Sequence, residues 1–338
     1  MKVNDRLQDD AIMEAVRFKK LQNRTYRRLI KSLIETYQEV IGDINNENLT
    51  SFQARRLNQL AAGIKDKLQA AYAAMGLELE SMLPSMVTDT IATGGSSLDS
   101  AVGVAWTSTP STATTYATAY ARPYQGRLLR EHFAKLPVTI SDLVKRQLRI
   151  GYQSGETTTQ VVARVNKILK RQGKAWNRTL INTAMTHFRG VAVMSLYKAN
   201  AGAIRGIKWN ATLDTHTTEF CYANDGRVFK IDRVPLYPNH YNERSILTPE
   251  LLPWDKSGID VPVGTRSSMD GQISAELNAK QWLEQSSFSR KSEAIGVTKA
   301  KMNREGVSIE DMFLKNRMYT LPELKVKFPD QYAAAVAI

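Results

Sequence analysis

Between Asp9 and Asp43 the apolar residues Tyr26, Ile30, Leu33, Tyr37 and Val40 recur at alternating intervals of four and three. That rhythm places them along one side of an α-helix, with Arg27, Arg28, Lys31 and Glu35 around the seam. A second seam runs through Leu57, Leu60, Ile64, Leu68, Tyr72, Met75, Leu79 and Met82, and Thr50 with Gln53 forms a capping-box pattern ahead of it. The link from Gly42 to Leu49 is short and polar, so the spacing predicts an antiparallel helical hairpin over residues 1–87. Two helices alone bury each other's seams only partly, and the remainder, Leu60 and Leu68 included, is expected to dock a partner. From Thr88 to Thr118 the pattern gives way to Gly, Ser, Thr and Ala. Gly94-Gly95-Ser96-Ser97 and the Thr/Ser-rich stretch 107–118 predict a flexible or extended arm, assigned to residues 88–138.

Helical signals return at Thr139 and continue through Leu143, Leu148 and Ile150 until Gly151 and Gly155 interrupt them. Thr157 with Gln160 is a second capping box, opening a helix through Val161, Val162, Val165, Ile168 and Leu169 that should end near Gly173. A longer helix is expected over 175–200. Two short strands, 204–211 and 227–231, then flank the turn signal Asn224-Asp225-Gly226. Beyond Pro249 the chain is rich in loops, with a helix near 274–285. The expected fold is α+β and mainly helical: a helical hairpin and flexible arm, then a compact domain, 139–338, of helices on a small antiparallel sheet.

Composition narrows the class. An apolar fraction of 43% suffices for a buried core, and no run approaches the roughly eighteen apolar residues of a membrane-crossing helix. Met1 to Asp5 open the chain without a secretory signal's apolar core, and the single Cys221 has no partner for an internal disulfide. A protein made and used inside a cell, without a membrane partner, is the expectation. The net charge of +13 is unevenly placed: from Arg122 to Lys208 there are 17 Lys and Arg against three acids, and the remainder is close to neutral. Within it Arg164, Lys167, Lys170, Arg171, Lys174 and Arg178 cluster, most of them at helical three-four spacing. Such a stripe suits phosphate contacts without base reading, or else is simply a solvated helix face.

Candidate chemistry is sparse. Asp214, His216, Cys221, His240 and Glu243 are ligand types within one folded unit, but C-x-x-C and H-x-x-x-H spacings are lacking. The preferred expectation is no metal and no cofactor, with His240, Asn242 and Arg244 pinning a loop by hydrogen bonds. Asp214, His216 and Cys221 lie too close in sequence for the usual geometry of a nucleophilic triad. Phosphate-loop, H-E-x-x-H and G-x-S-x-G motifs are absent, so no catalytic residue is assigned.

Taken in order, the motifs from Leu148 to Leu324 resemble the phage Mu F-like head morphogenesis family. The likeness begins at Gly151-Tyr152-Gln153-Ser154-Gly155 and sharpens at Trp209, Asp214, Thr217, Thr218, Cys221 and Asp225-Gly226-Arg227. It continues through Pro238-Asn239-His240-Tyr241-Asn242-Glu243-Arg244-Ser245 and Arg266-Ser267-Ser268-Met269-Asp270-Gly271-Gln272, then Trp282, Gly296 and Tyr319 to Leu324. Residues 1 to about 140 carry none of it. The family often has two paired thiol positions able to hold zinc; here Thr218 and Glu243 stand at two of them, and Asn182-Thr183-Ala184 replaces an Arg-Thr-Glu triplet. The resemblance implies a structural minor head protein, not an enzyme, associated with the portal and/or the major capsid or scaffolding protein. It implies assembly in the host cytoplasm, residence inside the virion beside packaged DNA, and a part in packaging or ejection. A toxin-like effector enzyme and a free non-specific DNA-binding protein are the alternatives.

Overall fold

The computed structural model describes residues 3–47, 54–103, 105–252, 265–274 and 276–337. Helices α1 (Val3–Asn45) and α2 (Ala54–Val102) run antiparallel. Asp43 meets Lys67 at 2.7 Å, the Tyr37 and Tyr72 hydroxyls meet at 2.9 Å, and Arg28 meets Glu78 at 2.6 Å. The capping box at Thr50 and Gln53 lies outside the described residues.

Much of the expected arm, residues 88–138, is instead helix. Helix α2 continues through Gly94-Gly95-Ser96-Ser97 because its buried row does not stop: Leu83, Met86, Val87, Ile91 and Leu98 extend it. Gly94 serves close packing, since a Cβ there would lie 2.7 Å from Leu196 Cδ2. The Asp99 carboxylate then accepts the backbone N–H groups of Trp106 (3.0 Å) and Thr107 (2.9 Å). Asn200 Oδ1 accepts the Ser108 N–H at 2.7 Å. Helix α3 (Thr112–Ala121) is capped by Ser111 and buries Thr115 and Ala119.

Helix α4 (Leu129–Gln153) begins ten residues before Thr139, on a buried row of Leu129, Phe133, Pro137, Ile140, Val144 and Leu148. Gly151 does not break it; Val161 occupies the space a side chain there would need. The turn comes at Ser154 and Gly155, where φ is +63°. Helix α5 (Thr158–Lys167) opens on the Thr157–Gln160 capping box, with Thr157 N donating to Gln160 Oε1 at 2.9 Å. Rather than ending near Gly173, the chain passes through a π-helical turn, Ile168–Gly173, into α6 (Lys174–Ala199). Gly173 makes room for the Tyr37 hydroxyl, 2.7 Å from where its Cβ would be. Asn177 Nδ2 donates to the Gly173 carbonyl at 2.6 Å and to Tyr72 Oη at 2.9 Å, holding the turn.

Helix α6 is the axis of the molecule. Leu180 to Phe188 are buried without interruption, as for a helix enclosed on all sides. Gln22 of α1 donates to the Asn182 carbonyl (3.0 Å) and to Thr186 Oγ1 (3.1 Å). One apolar core extends from Leu7 to Leu251, so the hairpin is an integral layer of the fold and not an appended module. Leu68 is fully buried within it and offers no docking surface.

Strand β1 (Ile204–Asn210) leads to α7 (Glu219–Asn224) and then β2 (Val228–Phe229) and β3 (Ile246–Leu251). The order is β2-β1-β3, antiparallel throughout. The sequence anticipated the first two strands; β3 it did not. A hairpin of β4 (Thr265–Ser268) and β5 (Gly271–Ser274) turns at Gly271, where φ is +102°. Helices α8 (Ala279–Gln285), α9 (Phe288–Ile295) and α10 (Val297–Arg304) follow. The small pair β6 (Phe313–Leu314) and β7 (Arg317–Met318), then α11 (Leu321–Lys327) and α12 (Pro329–Val336), complete the chain. These last elements enclose a second core of Leu213, Tyr222, Trp282, Met302, Ile309, Met312 and Leu324. The architecture is α+β and mainly helical. Among the described residues no helix is long and apolar enough to cross a membrane.

Candidate functional site

The signature residues converge where the two cores meet. Asp225, at the C-terminal end of α7, is buried and accepts four hydrogen bonds from three groups. Ala211 N donates to Oδ1 at 2.6 Å and Ala279 N to Oδ2 at 2.7 Å, while the Arg266 guanidinium spans both oxygens at 3.0 and 2.8 Å. Arg266 also donates to the Ala211 carbonyl at 2.7 Å. Gly226 takes φ +77°, and its N–H returns to the Trp209 carbonyl at 2.8 Å. Trp209 is fully buried in β1, edge-on to Phe220 and Tyr237. Around one carboxylate, the end of β1, the end of α7, β4 and the start of α8 are locked together.

A second clasp lies nearby. Arg244 forks onto Asp214, with Nη2 2.9 Å from Oδ1 and a shorter contact from Nη1 to Oδ2. Burial pushes the Asp214 carboxyl up, but Arg244, His216 N and Thr217 outweigh it and hold it below the ordinary carboxylate range. Asn242, in the left-handed region at φ +56°, donates from its backbone to Thr183 Oγ1 (3.0 Å) and from Nδ2 to Thr179 Oγ1 (2.9 Å). The loop is thereby fastened to α6 through Thr183 and Thr179. Trp282 Nε1 donates to Asp270 Oδ2 at 3.0 Å, and Arg290 pairs with the same carboxylate. Met269 is exposed; its backbone N–H bonds to the Leu213 carbonyl at 2.9 Å.

Between these clasps Cys221, His240 and Glu243 meet. Sγ lies 3.3 Å from His240 Nε2 and 3.4 and 3.5 Å from the Glu243 oxygens; His240 Nε2 lies 3.2 Å from Glu243 Oε2. The backbone explains the convergence. Thr218 caps α7 and points Cys221 inward, and the loop pinned by Asn242 and Arg244 delivers the other two. Burial and the adjacent Glu243 carboxylate push the Cys221 thiol up to about 12, which makes it a poor free nucleophile. A cavity of about 190 Å³ adjoins the trio, lined by Thr212, His216, Thr217 and Thr218. Asp214 is held by Arg244 and stands outside the trio, and His216, exposed on the cavity rim, is tied to Asp214 through its backbone N–H. In the sequence Glu243 stood only as one ligand type among five, and nothing in the spacing placed it beside Cys221 and His240.

The basic cluster is less regular than its spacing suggested. Arg164 is engaged by Glu156, and Arg178 stacks over Tyr26 and reaches Asn23 Oδ1 at 3.4 Å. Lys174 is half-buried, whereas Lys167, Lys170 and Arg171 are exposed. The π turn changes the hydrogen-bond step within this stretch, so the three-four ladder does not run unbroken across it. No protein-family model, curated protein or solved structure matches the chain.

Proposed function

We propose that the chain is a structural minor head protein of the Mu F type, acting in head morphogenesis and not as an enzyme. The observation that carries the reading is how the signature residues are used. Asp225 with Arg266, Asp214 with Arg244, and Asp270 with Trp282 are spent on one another, tying together segments distant in sequence. Motifs that serve as clasps suit a protein whose work is to hold a shape within an assembly. The proposed partners are the portal protein, the major capsid or scaffolding protein, and packaged DNA, the last through exposed Lys167, Lys170 and Arg171. The test is sedimentation of the purified chain with assembled portal rings from the same phage. Co-sedimentation that saturates at a fixed ratio supports the reading. A chain that stays in the supernatant with portal and capsid protein alike contradicts it.

A further inference from the structure

We infer that Cys221 Sγ, His240 Nε2 and a carboxylate oxygen of Glu243 form a three-ligand site for Zn²⁺, with the fourth position facing the adjoining cavity. The inference is independent of the head-protein reading and runs against the sequence-based expectation of hydrogen bonding alone.

Three observations carry it. The first is spacing. Zinc takes thiolate sulfur at about 2.3 Å and imidazole nitrogen or carboxylate oxygen at about 2.0–2.2 Å, so neighbouring ligands of a tetrahedral site stand roughly 3.4–3.6 Å apart. Taken to Glu243 Oε2, the three edges are 3.3, 3.5 and 3.2 Å, within a few tenths of an ångström of such a triangle.

The second is the orientation of His240. Its Nδ1 lies 2.8 Å from the Tyr241 carbonyl, which can only accept, so Nδ1 carries a proton. In the neutral ring Nε2 then presents its lone pair toward Cys221 and Glu243. A metal-bound histidine is held in this manner by an outer carbonyl.

The third is Glu243, whose side chain is 1% exposed. Oε1 accepts the backbone N–H groups of Arg244 (3.1 Å) and Ser245 (2.9 Å), which fixes the carboxylate and leaves Oε2 directed at His240. A buried carboxylate, a thiol and an imidazole lone pair thus converge on one point. The thiol proton can bridge them, and so can a cation, on which Cys221 releases that proton to solvent and binds as thiolate. Thiolate and imidazole together favour zinc over hard, oxygen-preferring cations.

The experiment uses the full chain, stripped with chelator and titrated with Co²⁺ and then Zn²⁺. One equivalent of Co²⁺ should produce a thiolate-to-cobalt charge-transfer band with tetrahedral ligand-field absorption, and Zn²⁺ should bleach both. Cys221→Ser should lose the charge-transfer band. His240→Ala and Glu243→Gln should weaken binding by on the order of 100-fold or more, since even outer partners of such ligands are worth roughly ten- to hundredfold. The wild-type spectrum decides the matter even if a variant fails to fold. Absence of a saturable band at one equivalent, or a Cys221→Ser chain that binds cobalt with the wild-type spectrum, overturns the site and leaves a proton-bridged cluster.

Discussion

Arg266 and Asp225, 41 residues apart, face each other as a two-pronged ion pair at 2.8 and 3.0 Å, with side chains only 5% and 0% exposed. Each also bonds to backbone that belongs to other elements, so the pair fixes the junction between the sheet and the C-terminal helices. Removing one member strands the other's charge in the interior. Asp225→Asn should therefore destabilise the fold by about 3–5 kcal/mol. Adding Arg266→Met to it should cost much less than the sum of the two single changes. Urea denaturation of the four proteins gives the coupling; additive losses would mean that the pair does not act as a unit.

Acid should weaken the fold through His187. Its ring is stacked against Tyr124 at 4.8 Å between centroids, and Nε2 bonds to the Ala119 carbonyl at 2.9 Å. Burial above all pushes His187 down to about 4, and it lowers His132, which stacks on Tyr124 as well. The folded state thus prefers the neutral ring, while the unfolded chain takes up a proton near the ordinary histidine value of about 6.5. Stability from this source is complete above about pH 6.5 and is lost as the pH falls toward 4, by about 3 kcal/mol. Urea midpoints between pH 7 and 4.5 should fall more steeply for the wild type than for His187→Gln. Parallel curves would exclude His187 as the source of the acid sensitivity.

Glycines of two kinds should respond oppositely to alanine. Gly190 of α6 lies against the Tyr237 ring, with Cδ1 2.5 Å from where a Cβ would stand, and that ring's hydroxyl is tied to the Ser245 carbonyl at 2.7 Å. Gly190→Ala should cost about 1–3 kcal/mol through overpacking. Gly63 of α2 is exposed and meets nothing within 4 Å, so Gly63→Ala should stabilise by about 0.5–1 kcal/mol through helix propensity. Thermal melts of both variants check the contrast. A stabilised Gly190→Ala would show that α6 does not press on Tyr237.

Lys167, Lys170 and Arg171 are the exposed part of the basic cluster. Changing the three to Glu should weaken binding to duplex DNA without regard to sequence. For every phosphate no longer neutralised, the salt slope of log affinity should also fall by roughly 0.7–0.9. Affinity and slope equal to wild type would reduce the cluster to a solvated face.

What could be read from the sequence was whatever repeats locally. The seams of α1 and α2, the Thr157–Gln160 cap and the existence of strands β1 and β2 could be read from patterns within single short segments. The misread arm followed the same local logic and failed because it is tertiary contact that decides there. Gly94 looks permissive in isolation, and only the approach of Leu196 reveals that the missing side chain leaves room for a neighbour. Gly173 is misleading for the same reason, through Tyr37. In the site, Trp209, Asp225 and Arg266 stood out as residues, but their mutual bonds join segments that no spacing rule connects. Cys221, His240 and Glu243 were visible as separate ligand types; their triangle depends on the loop being fastened to α6 through Asn242 and Thr183.

If this chain is built into a phage head, it must be found there in fixed proportion to the other head proteins. Quantitative mass spectrometry of heads purified from the phage that encodes it, after nuclease treatment and gradient separation, measures that proportion with the portal protein as internal reference. The chain is expected in the head fraction at a constant, low ratio to portal, retained after a high-salt wash that strips adventitious DNA-binding proteins. A chain found only among soluble proteins, or washed away at high salt together with free DNA, would refute its place in the head.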